Sequence, residues 1–98
     1  MPLFLVNARD KADSLELRLA NREAHLAWAA DYRDRIAVAG PVLGANGGMA
    51  GSTFMIEFDT LKEAQNWAAN DPYAKAGLFE TTEIIAFKWL IGEGKPSA

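Results

Sequence analysis

An arginine and a histidine lie three positions apart, at Arg22 and His25, in a segment rich in helix-forming residues. His25 is the only histidine of the chain. An imidazole exchanges its proton near neutral pH, which suits acid–base chemistry. Arg22 falls on an apolar stripe, where it either binds an anionic group or packs its stem and extends its head into water. The two residues therefore predict either a proton-transfer site with an anion-binding arm, or a hydrogen-bonded histidine beside a surface arginine.

Two further polar candidates, Asp71 and Ser52, lie far from His25 along the chain. Asp71 precedes Pro72, and this pair is typical of the N-cap and first residue of a helical turn. A carboxylate can also orient a histidine and stabilise its charged form in an acid–base site. Ser52 follows a glycine-rich stretch, where its hydroxyl either contacts a ligand or belongs to an ordinary hairpin turn. The spacing leaves both pairs of interpretations open.

The composition of the 98 residues excludes several kinds of site. Without cysteine there are no disulfides, thiol nucleophiles, thiolate zinc sites or iron–sulfur clusters. A single histidine would leave carboxylates to bind any transition metal, so we expect neither a metal nor another cofactor. The net charge is −3 and the basic residues are scattered, which argues against nucleic-acid binding. No run approaches the roughly 20 apolar residues of a membrane span, and no basic segment marks a signal peptide, so we expect a cytoplasmic protein.

The periodicity of the apolar residues predicts six elements in the order β-α-β-β-α-β, the split βαβ plan of ferredoxin-like domains. The length allows a single domain over residues 1–98, with about 92–98 as a frayed tail. In this plan both helices cover one face of a four-stranded antiparallel sheet. The predicted strands span about 3–6, 36–43, 53–58 and 83–90, and the predicted helices span about 14–35 and 60–70.

Local signals predict how the two helices begin and which way the first one faces. Asp13 with Glu16, and Thr60 with Glu63, have the spacing of capping boxes that open helices. An apolar stripe along the first helix is expected to pack on the sheet, with His25 on its flank. The stripe consists of Leu15, Leu19, Leu26, Ala30 and Ala37.

The predicted sheet has one uncovered face and one interrupted strand. Gly40–Pro41 is expected to break or bend the second strand and to place it at an edge, because proline offers no N–H to a ladder. The uncovered face is expected to carry apolar residues such as Met55, Ile84 and Leu90, with the last strand largely buried on both sides. A second copy of the chain would cover that face, so we expect a two-fold homodimer.

An ordered set of short motifs runs through almost the whole chain. The motifs are Arg22-x-x-His25-Leu26, Ala39-Gly40-Pro41, Gly51-Ser52, Ala64, Asp71-Pro72-Tyr73-x-x-Ala76-Gly77-Leu78 and a last strand that includes Phe87. Each motif is weak by itself, but the ordered set is specific. It resembles the YciI-like, or YCII-related, family.

The resemblance implies a ferredoxin-like fold of the dimeric α+β barrel type. It also implies that His25 and Asp71 form a catalytic pair, and that Arg22 and Ser52 line the same substrate-binding cleft. The activities assigned in the family include lyase-type chemistry on small ring compounds. We therefore expect a small-molecule enzyme of lyase, isomerase or hydrolase type acting on a small cyclic or anionic metabolite. The alternatives are a non-catalytic module that binds a small ligand and a dimeric structural or interaction protein.

Overall fold

Strands and helices follow one another in the predicted order, with one short helix added before the last strand. The computed structural model describes residues 2–94, so the predicted frayed tail lies outside the described residues from position 95 onward. The order βαββααβ confirms the ferredoxin-like α+β plan. The elements are β1 (Leu3–Asp10), α1 (Leu15–Ala30), β2 (Ile36–Leu43), β3 (Met49–Glu57), α2 (Leu61–Ala69), α3 (Pro72–Lys75) and β4 (Phe79–Phe87).

The four strands form one antiparallel sheet in the order β2-β3-β1-β4. β2 lies at an edge, as Gly40–Pro41 predicts. The expected break does not occur, because β2 passes through both residues and pairs with β3 on either side of them, with register shifts near each of its ends. The prolyl residue is tolerated because β2 has a partner on one side only.

The core lies between the sheet and the two longer helices. Trp28 of α1 stacks on Trp67 of α2, with ring centroids 4.2 Å apart, and both meet Phe54 of the sheet edge-on. Aromatic rings in these offset and edge-on arrangements bury large areas without strain. The core joins the central strands to α2, and its buried members are Phe4, Val6, Phe54, Ile56, Phe58, Ala64, Trp67 and Ala68.

The face that α1 turns toward the sheet differs from the predicted one. Leu15, Leu19 and Leu26 are 47%, 51% and 53% exposed, whereas Arg18 and His25 are only 3% and 8% exposed. The prediction that the leucine stripe packs on the sheet is therefore wrong. The buried face of α1 is rotated from that stripe by roughly a quarter of a helical turn. Arg18 and His25 can lie on the sheet side of α1 because both side chains find hydrogen-bond partners inside the fold.

The predicted helix starts are confirmed for α2 and wrong for α1. Thr60 caps α2, since its Oγ1 accepts a hydrogen bond from the Glu63 backbone N–H at 3.2 Å. Asp13 has a left-handed φ of 55°, so Ser14 becomes the N-cap of α1, without a side-chain cap bond. α1 also ends at Ala30, before the predicted end near 35, because residues 31–35 form turns that lead into β2.

β4 begins and ends earlier than predicted, which changes the assignment of its faces. The strand spans Phe79–Phe87, so Leu90 lies beyond it. Ile84 pairs with Val6 and packs against the core, so it faces the helices and not the uncovered side. The expectation that the strand is buried on both sides is also wrong in the single chain, since only Ile84 among its middle residues is covered.

The uncovered face of the sheet is apolar at its centre. Directly opposed residues on antiparallel strands share a face, and Leu5 pairs with both Met55 and Ile85. Phe87 lies on the same side, paired with Leu3. Ile85 and Phe87 are 44% and 38% exposed. We name this surface, formed by Leu5, Met55, Ile85 and Phe87, the open sheet face.

Candidate active site

The start of β3 places a serine against the inner side of α1. Ser52 pairs with Ala8 of β1 and Pro41 of β2, so its side chain lies on the helix-covered face, where it is buried. A Cβ on the preceding Gly51 would overlap the carbonyl oxygen of Ala8. Gly51 therefore allows the strands to approach closely where Ser52 enters the site.

His25 and Asp71, 46 positions apart, meet in the interior. His25 Nδ1 and Asp71 Oδ1 are 2.8 Å apart, and both side chains are buried. The same Oδ1 accepts the backbone N–H of Tyr73 at 2.9 Å, which makes Asp71 the N-cap of α3. The predicted cap is confirmed, and the same oxygen also contacts the histidine.

The imidazole is fixed by aromatic rings on several sides. The His25 ring stacks on Tyr73 with centroids 4.0 Å apart and planes 14° apart, and it also contacts Trp28 and Phe54. A carboxylate only accepts hydrogen bonds, so Nδ1 carries the hydrogen toward Asp71. Among residues 2–94 no hydrogen bond involves Nε2.

A buried ion pair lies beside this dyad. Arg18 donates from Nε and Nη2 to the two carboxylate oxygens of Asp10, at 2.7 and 3.1 Å. Nη2 also donates to Ser52 Oγ at 2.8 Å, and the guanidinium carbon lies 4.6 Å from the Tyr73 ring centroid. Arg18 and Asp10 are site residues that the sequence patterns did not predict. The available signal was the position of Arg18 one turn before Arg22 on the flank of the stripe.

Arg22 lies at the rim of the site. It lines the same cleft as His25 and Ser52, yet its side chain is exposed. Within residues 2–94 its guanidinium makes no hydrogen bond or ion pair. Arg22, which was predicted to bind substrate, is therefore available for a ligand. Arg18 is already hydrogen-bonded to Asp10 and Ser52.

The side chains surround a cleft of about 150 Å³ between α1, β2 and β3. α1 contributes Arg18, Arg22 and His25 to its wall, and the sheet contributes Ser52 and Phe54. In another protein a cavity of about 150 Å³ admits a benzene molecule. The cleft is therefore large enough for one six-membered ring, with the histidine in its wall.

Residues 2–88 match the YCII-related domain. The chain belongs to the YCII-related domain family. It is 43% identical to Protein YciI of Escherichia coli over 94 residues, which cover 88% of this chain and 96% of that protein. It is also 36% identical to an uncharacterised protein of Haemophilus influenzae, over 87% of this chain and 95% of the relative.

A solved enzyme structure resembles this YCII-related domain over nearly its full length. The enzyme is the 5-chloro-2-hydroxyhydroquinone dehydrochlorinase TftG of Burkholderia phenoliruptrix, in complex with 2,5-dihydroxybenzoquinone. The two chains are 36% identical with a TM-score of 0.82, covering 96% of this chain and 99% of the enzyme. A NIPSNAP domain protein of Burkholderia xenovorans, 16% identical with a TM-score of 0.52 over 99% of this chain and 100% of that chain, shares the fold alone.

The site of the YCII-related domain gathers all four residues that the sequence singled out. His25, Arg22 and Ser52 line the cleft, and Asp71 lies behind the imidazole. Within residues 2–94 no three histidine or acidic side chains lie close enough together to hold a metal ion. None of the helices in the same range is long and apolar enough to cross a membrane.

Tyr73 borders the cleft of the YCII-related domain but is not suited to act as a base. Burial raises the pKa of the Tyr73 phenol above its ordinary value of 10.0, and the Arg18 guanidinium partly opposes this effect. The phenol therefore stays protonated at neutral pH. Its ring remains a flat, uncharged support for the imidazole.

Proposed function

We propose that this chain is a small-molecule enzyme in which His25 and Asp71 act as an acid–base pair on a monocyclic substrate. The observation that carries the proposal is the buried 2.8 Å contact between His25 Nδ1 and Asp71 Oδ1 in the wall of a ring-sized cleft. Asp71 orients the imidazole and stabilises its protonated form, and Nε2 accepts and returns the proton. A positioned acid–base group of this kind accelerates a reaction by about 10²–10⁴-fold.

The proposed substrate class is a small ring that carries ionisable hydroxyl groups. The similar dehydrochlorinase acts on a chlorinated hydroxyhydroquinone and binds a dihydroxybenzoquinone. The cleft of this chain has the volume of one such ring, and Arg22 at its rim is available for an anionic oxygen. The alternative, a binding module for the same ligands, differs only in needing no proton transfer by His25.

Loss of hydrogen chloride from a chlorohydroxyhydroquinone illustrates what the pair would do. A ring hydroxyl gives its proton to Nε2, and Nε2 returns this proton to the carbon that bears chlorine, which yields a non-aromatic keto form. A second hydroxyl then gives its proton to Nε2. Its electron pair forms a carbonyl, the ring double bond shifts, and chloride leaves with the carbon–chlorine pair. The products are a hydroxybenzoquinone and hydrogen chloride, so the ring is oxidised as chlorine leaves as chloride and no other reactant is required.

Chloride release tests this proposal. The purified protein would be incubated without oxygen with 5-chloro-2-hydroxyhydroquinone, and free chloride would be followed against buffer alone. We expect release above the buffer rate. Binding of 2,5-dihydroxybenzoquinone without chloride release would favour the binding module. Neither release nor binding would favour an interaction protein and would refute the proposed substrate class.

We also propose that two copies of the chain associate through the open sheet face. Leu5, Met55, Ile85 and Phe87 form a contiguous apolar surface, and a self-complementary two-fold interface would remove it from water. The expected result is a two-chain mass in sedimentation at micromolar concentration, reduced to one chain by Ile85→Asp. A wild-type mass of one chain would contradict it.

The cytoplasmic location and the absence of nucleic-acid partners stay predictions.

A further inference from the structure

Arg18 is held in one orientation by its surroundings. Two hydrogen bonds tie it to Asp10 in a bidentate ion pair, at 2.7 and 3.1 Å, and the two side chains are only 3% and 6% exposed. The Tyr73 ring lies beneath the guanidinium, 4.6 Å from its central carbon. A planar guanidinium held at its edge and on its face points its remaining N–H groups in fixed directions. One of these N–H groups, on Nη2, donates a hydrogen bond to Ser52.

The bond from Arg18 determines whether the Ser52 hydroxyl acts as donor or acceptor toward its other neighbours. A serine hydroxyl can donate one hydrogen bond and accept others, whereas a guanidinium only donates. Ser52 Oγ is therefore the acceptor in the 2.8 Å contact with Arg18 Nη2. Within residues 2–94 the hydroxyl donates to no acceptor, although the side chain is 97% buried on the wall of the cleft. Its proton is left for a group in the cleft.

We propose that Arg18, itself fixed by Asp10, is a positioning residue that presents the Ser52 hydroxyl as a hydrogen-bond donor to a carbonyl or anionic oxygen of the substrate. The inference rests on the proposed function, because it takes the ring to occupy this cleft. Accepting a bond from a cation polarises the hydroxyl and strengthens the bond that it donates. The site then favours rings that carry an ionised or ketonic oxygen at this position over rings that carry only neutral hydroxyls.

Two probes of similar size test this selectivity. 2,5-Dihydroxybenzoquinone carries carbonyl oxygens and, as a vinylogous acid, is anionic at neutral pH, whereas hydroquinone carries only neutral hydroxyls. Calorimetric titration of the wild-type chain and of Ser52→Ala would give both dissociation constants. We expect Ser52→Ala to weaken the binding of dihydroxybenzoquinone roughly tenfold to a hundredfold, the usual effect of losing a hydrogen bond to a charged group. Hydroquinone binding should change by less than about threefold.

The role of Arg18 is tested by coupling. Arg18→Lys keeps the positive charge near Asp10 but loses the planar, two-nitrogen hold on the carboxylate that fixes the direction of the Nη2 bond to Ser52. In the Arg18→Lys variant, adding Ser52→Ala should weaken the binding of dihydroxybenzoquinone by less than about threefold, because the hydroxyl is no longer held as a donor. Asp10→Asn loosens Arg18 without removing it and should likewise reduce the effect of Ser52→Ala on binding. This variant replaces Arg18→Lys in the test if Arg18→Lys does not fold.

Ser14→Ala is the matched control, since Ser14 is half-buried at the start of α1, does not line the cleft, and donates only to the Ala12 carbonyl. It should leave both dissociation constants unchanged. The inference is overturned, with the proposed function intact, if the wild type binds dihydroxybenzoquinone but Ser52→Ala weakens both probes equally or neither. It is also overturned if Ser52→Ala has the same effect with and without Arg18. If the wild type binds neither probe, the substrate class of the proposed function fails as well.

Discussion

Replacement of His25 by asparagine is expected to lower turnover of a ring substrate by about 10²–10⁴-fold, the range for loss of a general acid–base group. Asparagine can still donate a hydrogen bond to Asp71 from the position of Nδ1, but it offers no nitrogen that accepts a proton at the position of Nε2. The dissociation constant of 2,5-dihydroxybenzoquinone should change little. The measurement is the rate of chloride release at saturating substrate, with a calorimetric titration of the same sample.

The stability of the His25→Asn variant must be followed, because the imidazole stacks on Tyr73 at 4.0 Å and the loss of one aromatic pair costs about 0.5–1.5 kcal/mol. Asp71→Asn is the companion variant. An asparagine carbonyl can still accept the bonds that Oδ1 accepts from His25 and from the Tyr73 backbone, so the cap survives and only the negative charge is lost. Turnover should fall with both variants. Undiminished turnover in a folded His25→Asn protein would exclude His25 as the base.

Replacement of Arg18 by methionine is expected to lower the free energy of unfolding by about 3–5 kcal/mol, the usual effect of removing one partner of a buried ion pair. The carboxylate of Asp10 would remain in the interior, 6% exposed, without the cation that accounts for two of its hydrogen bonds. Domains of this kind have a total stability of about 5–15 kcal/mol, so the loss is a large part of the whole. Urea unfolding monitored by tryptophan fluorescence measures it.

The double variant Arg18→Met, Asp10→Ala separates the unpaired charge from the lost packing. Removing both partners leaves no unpaired charge at this position, so the double variant should be more stable than Arg18→Met alone. Arg22→Met is the matched control one turn along α1, since Arg22 is exposed and should contribute within about 0.5 kcal/mol. Equal losses for Arg18→Met and Arg22→Met would show that the ion pair does not stabilise the fold.

Much of the fold could be predicted because its signals are local. Thr60 and Glu63 are close enough in sequence to form their capping contact without help from the rest of the chain. Alternation along residues 53–58 predicted β3, and Gly40–Pro41 predicted an edge strand. The faces of α1 and β4 could not be predicted in this way, because a pattern shows that a helix has two sides but not which side meets the sheet.

The sequence by itself determined the βαββαβ order, the family, and the residue types from which an acid–base site can be built. Only the tertiary structure decided that Asp71 touches His25, that Arg18 rather than Arg22 bonds Ser52, and that Asp10 belongs to the site. These contacts join residues on different elements, from eight to 46 positions apart. Their geometry depends on strand register and on the rotation of α1, which are settled when the whole core packs together.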